Sequence, residues 1–133
     1  MYKTYRGSCH CGAVRFETDL DLGAGTSKCN CSYCVKSRIW NVVIAPEQFR
    51  LLAGEDALSD YQFGAHNAHH RFCRHCGIRP FGHGALGEGR EYRSVNLACL
   101  DDLDPAELIA APLRYYDGRN DEWVTPPAEV RHL

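Results

Sequence analysis

No stretch of this 133-residue chain approaches the ~18 consecutive apolar residues of a membrane-spanning helix. The opening Met1-Tyr2-Lys3-Thr4-Tyr5-Arg6 also lacks the apolar run that a signal peptide needs, so a cytoplasmic location is the expectation. Basic blocks are missing too. Lys and Arg number 15 against 17 Asp and Glu, a formal charge of −2 spread along the whole chain, and neither nucleic acid nor an anionic membrane is an expected partner. There is no internal repeat, coiled-coil heptad or low-complexity segment. The length and a 44% apolar content suit one domain over residues 1–133 with a modest core.

What the chain has in excess is cysteine. Eight cysteines fall into a C-x-C pair (Cys9, Cys11), a C-x-C-x2-C triplet (Cys29, Cys31, Cys34), a C-x2-C pair (Cys73, Cys76) and the isolated Cys99. In a secreted chain such a count reads as disulfides; in a reducing compartment this spacing reads as metal ligands. Side chains two residues apart on an extended chain return to one face about 6 to 7 Å apart, and a slight bend brings both sulfurs to one ion. Cys34 is expected to close on Cys29 and Cys31 from a tight turn. Three sulfurs fill three corners of a tetrahedron and leave the fourth open, as in a catalytic zinc site, whereas structural sites take four protein ligands.

Alternation of apolar and polar residues marks the strands. Val14 and Phe16 alternate with Arg15 and Glu17, which places the first cysteine pair at the mouth of a half-buried strand. Residues 19–27 read as a loop, residues 39–45 as a buried strand ended by Pro46, and Pro46-Glu47-Gln48 as one helical turn. Further strands are expected at 49–53, 58–63, 78–84 and 91–97. One short helix is expected over residues 104–109, with Asp104 as its N-cap and Pro105 in the first helical position.

A structural zinc commonly joins two short cysteine pairs distant in sequence, and Cys9 and Cys11 with Cys73 and Cys76 meet that requirement. The triplet has no matching pair. Cys99 lies among apolar residues and reads as a small core residue, although it remains a possible fourth ligand, as do His66, His69, His70 and His83.

The segments Gly7-Ser8-Cys9-His10-Cys11-Gly12, Cys29-Asn30-Cys31-Ser32-Tyr33-Cys34 and Phe72-Cys73-Arg74-His75-Cys76-Gly77, with Val95-Asn96 downstream, resemble the glutathione-dependent formaldehyde-activating enzyme and centromere protein V family. The resemblance implies a mainly β fold, a β-tent of antiparallel sheets with one or two short helices. It also implies a structural zinc on Cys9, Cys11, Cys73 and Cys76 and a catalytic zinc on Cys29, Cys31 and Cys34. The reaction implied is a carbon–sulfur lyase type, the condensation of glutathione with formaldehyde to S-hydroxymethylglutathione.

A soft, sulfur-rich site suits a thiol as its fourth ligand. A small-molecule thiol is therefore an expected partner, and the resemblance implies that it is one such as glutathione and that a small aldehyde is the other, with the thiolate adding to the carbonyl. Three thiolates on one divalent ion carry about −1 together, and Lys36 and Arg38 just beyond Cys34 are candidates to offset that charge or to bind a carboxylate of the thiol. The competing expectation is a zinc-stapled binding module without turnover, which an exposed apolar patch away from the triplet would favour.

Overall fold

The computed structural model describes residues 1–133 as a mainly β fold of two sheets with two six-residue α-helices. The smaller sheet has three strands in the order β1 (Lys3–Ser8), β2 (Arg15–Leu20) and β5 (Phe49–Ala53). The larger has seven. Its order is β10 (Leu113–Tyr116), β3 (Thr26–Cys29), β4 (Asn41–Ile44), β9 (Arg90–Asn96), β8 (Phe81–Gly87), β7 (His69–Cys73) and β6 (Leu58–Tyr61).

Period-2 alternation decides which face each strand buries. Along β2, Phe16, Thr18 and Leu20 are buried while their neighbours are not, and in β1 Tyr5 and Gly7 share that inner side. These residues meet the inner face of the large sheet, where Ile44, Phe81 and Val95 are buried. The ring of Phe49 joins the layers, its centroid 5.2 Å from Phe16 and 4.5 Å from Phe81. Aromatic pairs at such separations contribute about 0.5–1.5 kcal/mol each beyond their buried area. Residues after β9 close the other edge, with Asp101 N–H donating to the Arg6 carbonyl at 2.8 Å and Ser8 Oγ to Asp101 Oδ2 at 2.7 Å.

Several sequence expectations hold closely. β5 spans the expected residues, Pro46–Gln48 is a single 3-10 turn, and the second helix, α2 (Pro105–Ala110), has Asp104 Oδ1 accepting from Ala106 N–H at 2.9 Å.

Three corrections concern the neighbourhood of the cysteine triplet. Residues 19–27 are not one loop, because β2 runs to Leu20 and β3 begins at Thr26 after a 3-10 turn. Thr26 and Ser27 are polar yet buried, and backbone pairing on both sides satisfies them better than solvent would in a loop. The sheets are not wholly antiparallel either. β10 pairs with β3 in parallel, Tyr116 opposite Cys29, because the chain returns to β3 only after the long excursion through the rest of the large sheet and α2. Finally, Cys34 lies in a helix, α1 (Ser32–Ser37), rather than a bare turn.

No helix is long and apolar enough to cross a membrane.

Candidate metal centre

Two groups of sulfur atoms gather, each with all members within 4.8 Å of one another. The first is Cys9, Cys11, Cys73 and Cys76. Cys9 follows β1 and its Sγ accepts the Val14 N–H at 3.3 Å, while Cys73 ends β7 and its backbone N–H donates to the Ile78 carbonyl at 2.9 Å. The Cys9–Cys11 and Cys11–Cys73 sulfur separations are both 3.7 Å. Corners of a tetrahedron drawn at the zinc–sulfur length of about 2.3 Å lie about 3.8 Å apart, so the donor set fits such an ion. Cys9 and Cys73 are buried beside Val14 and Ala57. An ion there would join the β1–β2 turn of the small sheet to the β7–β8 turn of the large one.

The second group is Cys29, Cys31 and Cys34, and no histidine, carboxylate or fourth cysteine falls within it. Each sulfur is fixed by a different element. Cys29 ends β3, held by its neighbour Tyr116 in β10. Cys31 is the N-cap of α1 and its Sγ accepts the Cys34 N–H at 3.3 Å, the place that a Ser or Asp oxygen takes in ordinary helices. Cys34 sits in the first helical turn. The three are half-buried, open enough for a small molecule to approach.

Without an ion the three thiols share protons unequally. The Cys31 thiol is held well below its usual range by the neighbouring thiols of Cys29 and Cys34, helped by the N–H groups of Cys34 and Tyr33. Contact with Cys31 pushes Cys29 up, and contacts with Cys29 and Cys31 push Cys34 up. Cys31, the sulfur at the helix start, is thus the thiol of the three that ionises most readily.

Of the remaining candidates, Cys99 is buried in the main core, its thiol 3.9 Å from the Arg79 carbonyl, and burial followed by Asp101 pushes it up to about 11. It takes no part in either sulfur group. His66, His69 and His83 stand apart, His69 stacking on His83 at 4.5 Å and pairing with Asp60 at 2.6 Å. His70 comes nearest the triplet, through its 3.9 Å stack on Tyr33. Lys36 is exposed in the last turn of α1. Arg38 lines a narrow crevice with Cys29 and Cys34, and its guanidinium donates to the His132 carbonyl at 2.8 Å.

Two features of the site lie outside the residues singled out in sequence. One is the turn after β10. Asn30, buried between Cys29 and Cys31, donates to Asp117 Oδ1 at 2.8 Å and accepts the Arg119 N–H at 3.0 Å. That clasp lays Gly118 directly on the triplet, where a Cβ would stand 2.5 Å from Cys29 Sγ. The D-G pair in Asp117-Gly118-Arg119-Asn120 is a turn signal, but nothing local says what the turn packs on. The other is Arg79, buried with 9% of its surface exposed and without an acidic partner. Burial lowers its proton affinity, and Tyr33 and Cys34 are the foremost groups opposing that shift.

The sequence matches the model of the glutathione-dependent formaldehyde-activating enzyme family over residues 4–116. The chain belongs to that family. A crystal structure of a Rhodobacter sphaeroides protein is similar to it, with a TM-score of 0.68 and 33% identity, covering 82% of this chain and 99% of that one. Both sulfur groups lie within the span matched to the formaldehyde-activating enzymes, as does the Tyr116 that holds Cys29. Gly118 lies just beyond it.

Proposed function

We propose that this chain is a zinc-dependent enzyme of the carbon–sulfur lyase type that joins a thiol such as glutathione to a small aldehyde such as formaldehyde. The observation that carries the reading is the difference between the two sulfur groups, one with four donors and the other with three. The four-cysteine group suits a structural zinc that fastens the sheets together, and the three-cysteine group suits a zinc with one position for substrate. Zinc bound there would lower the proton affinity of an incoming thiol and hold it as a thiolate.

The protein's own residues do the rest. The Cys34 and Cys31 N–H groups donate to Cys31 Sγ and Cys29 Sγ, withdrawing charge from the ligands. Arg38, which lines the crevice with Cys29 and Cys34, would meet a carboxylate of the thiol, with the exposed Lys36 as a second cation. Thiolate ligands need a reducing compartment, which favours the cytoplasm.

The exposed aromatic residues bear on the binding-module alternative. Tyr61 and Phe63 stack toward Tyr33, at 6.0 and 6.1 Å, and Tyr33 lies between Cys31 and Cys34 in sequence. The aromatic edge is therefore continuous with the triplet, which favours a substrate wall over a remote docking patch.

Metal content before and after chelation, measured beside glutathione-dependent formaldehyde consumption, tests the reading. Two zinc ions per chain, one easily removed, with activity lost alongside it, is the expected result. Two equally inert ions and no turnover would move the assignment to the binding module.

A further inference from the structure

Beside the stack of Tyr33 on His70, just before β8, lies the buried Arg79. The guanidinium lies over Gly82, where a Cβ would collide with Nη2, and Nη2 donates to Ser94 Oγ at 2.9 Å. Gly82 pairs with His70 on β7 and with Ser94 on β9, so the guanidinium is flanked by the imidazole and the hydroxyl. Its Nε and Nη1 have no hydrogen-bond partner, and neither do Nδ1 and Nε2 of His70. Four orphaned polar atoms in one buried place are costly, and the more so where the group is charged.

No side chain of this protein pairs with the Arg79 charge. Across Gly82 the guanidinium has His70 beside it, and His70 stacks at 3.9 Å on Tyr33, the residue before Cys34, but nothing hydrogen-bonds the open Nε and Nη1 edge. Buried cations are ordinarily paired. The edge of a guanidinium, Nε with one terminal nitrogen, is also the part that grips oxygen anions.

We propose that the Nε and Nη1 edge of Arg79, with His70 beside it, is an oxygen-anion subsite next to Cys34 that receives the oxygen of the aldehyde. The proposal rests on the reading of the triplet as the thiol-binding centre. As the thiolate sulfur attacks the carbonyl carbon, the carbon–sulfur bond forms and the carbon–oxygen π pair moves onto oxygen. Arg79 stabilises that alkoxide, which then takes a proton from water and becomes the hydroxyl of the adduct. The proton lost by the thiol balances the one gained, and no oxidant is required. Arg79 does not titrate near neutral pH, so its role is electrostatic. A carboxylate on the thiol is the other oxygen anion that could occupy the same edge.

Arg79→Lys and Arg79→Gln, made in the full zinc-loaded chain, test this. Lysine keeps the charge but removes the two-nitrogen edge; glutamine removes the charge. Both variants are expected to slow formaldehyde addition to glutathione by about 100- to 1000-fold, the scale of deleting one such donor. Thiol affinity, read from the absorbance of cobalt-substituted protein, should change less than about threefold. If instead glutathione binding falls more than about tenfold while 2-mercaptoethanol binds as before, the subsite takes the thiol's carboxylate. Unchanged addition and unchanged thiol binding in both variants would overturn the subsite.

Formate provides a test on the wild-type chain that does not depend on variants folding. It should shift the His70 imidazole signals saturably in nuclear magnetic resonance and be displaced by formaldehyde. Absence of any such shift would also overturn the proposal. The cobalt spectrum of the wild-type protein, if unresponsive to every thiol, would remove the enzyme reading itself and leave the formate result to stand or fall alone.

Discussion

Replacing Gly118 with alanine adds one carbon at the point where the turn after β10 lies against the triplet. That carbon would stand 2.5 Å from Cys29 Sγ, 3.0 Å from the Trp123 ring and 3.3 Å from Cys31 Cβ. Comfortable contacts need about 3.5–4.0 Å, so either the turn or the sulfur must yield by about 1 Å or more. Gly118 is not among the positive-φ glycines, which leaves alanine's backbone unstrained and the effect purely steric. In the metal-free chain the Cys29 side chain can rotate away and relieve the clash. A bound ion forbids that rotation, so the strain, about 1–3 kcal/mol on the scale of overpacking, falls on the metal-bound state. At tenfold per 1.4 kcal/mol this weakens the second ion by roughly 5- to 150-fold. Competition with a chromophoric chelator measures both ions in one experiment, and the four-cysteine site should keep its wild-type affinity. Wild-type retention of the weaker ion, or equal losses at both sites, would refute the assignment of the turn as a cover for the triplet.

Three further outcomes follow from the structure. Cys73→Ser should release the ion that joins the sheets and lower the melting temperature by more than about 12 °C, at some 3–4 °C per kcal/mol for a chain of this length. Cys34→Ser should lose one ion with a far smaller thermal loss, and equal melts would show that the two sites are not divided into structural and open. Burial, with Arg79 second, pushes the His70 imidazole down to about 4. Its folded value lies below the ordinary one of about 6.5, so the unfolded chain takes up a proton first and stability falls as pH drops from about 6.5 toward 4. Imidazole signals followed by nuclear magnetic resonance should show His70 neutral at pH 5.5; a midpoint near 6.5 would refute the burial argument.

The half-buried pair of Asp19 and Arg50 belongs to the small sheet rather than to this site. Arg50 grips Asp19 through two nitrogens at 2.9 Å and Glu17 through Nε at 2.8 Å, all on the small sheet.

Sequence by itself determined the C-x-C, C-x-C-x2-C and C-x2-C units, because a chelating spacing is local, and the four-cysteine set followed from the need of a structural zinc to join two such pairs. Two residues of extended chain, or two residues in a tight turn, fix the distance between sulfurs wherever the segment lies, and the cysteines of Cys73-Arg74-His75-Cys76 needed no knowledge of the fold to be grouped. The helix at Pro105–Ala110 and the strand at Phe49–Ala53 were legible for the same reason, through a cap and a period of two. α1 was missed because its cap is a cysteine, a residue that ordinary capping rules do not single out. β3 was missed because its buried Thr26 and Ser27 carry no apolar alternation. What only the tertiary structure decided is the environment of the open site. Gly118 comes from the turn after β10 and His70 from β7, while Arg79 comes from the loop before β8, and each is far in sequence from Cys34. Their meeting depends on sheet register and on a parallel pairing closed by a long crossover, and neither leaves a mark in the residues' own spacing. An arginine reads as a surface charge in sequence, and only the fold shows it buried without an anion of its own.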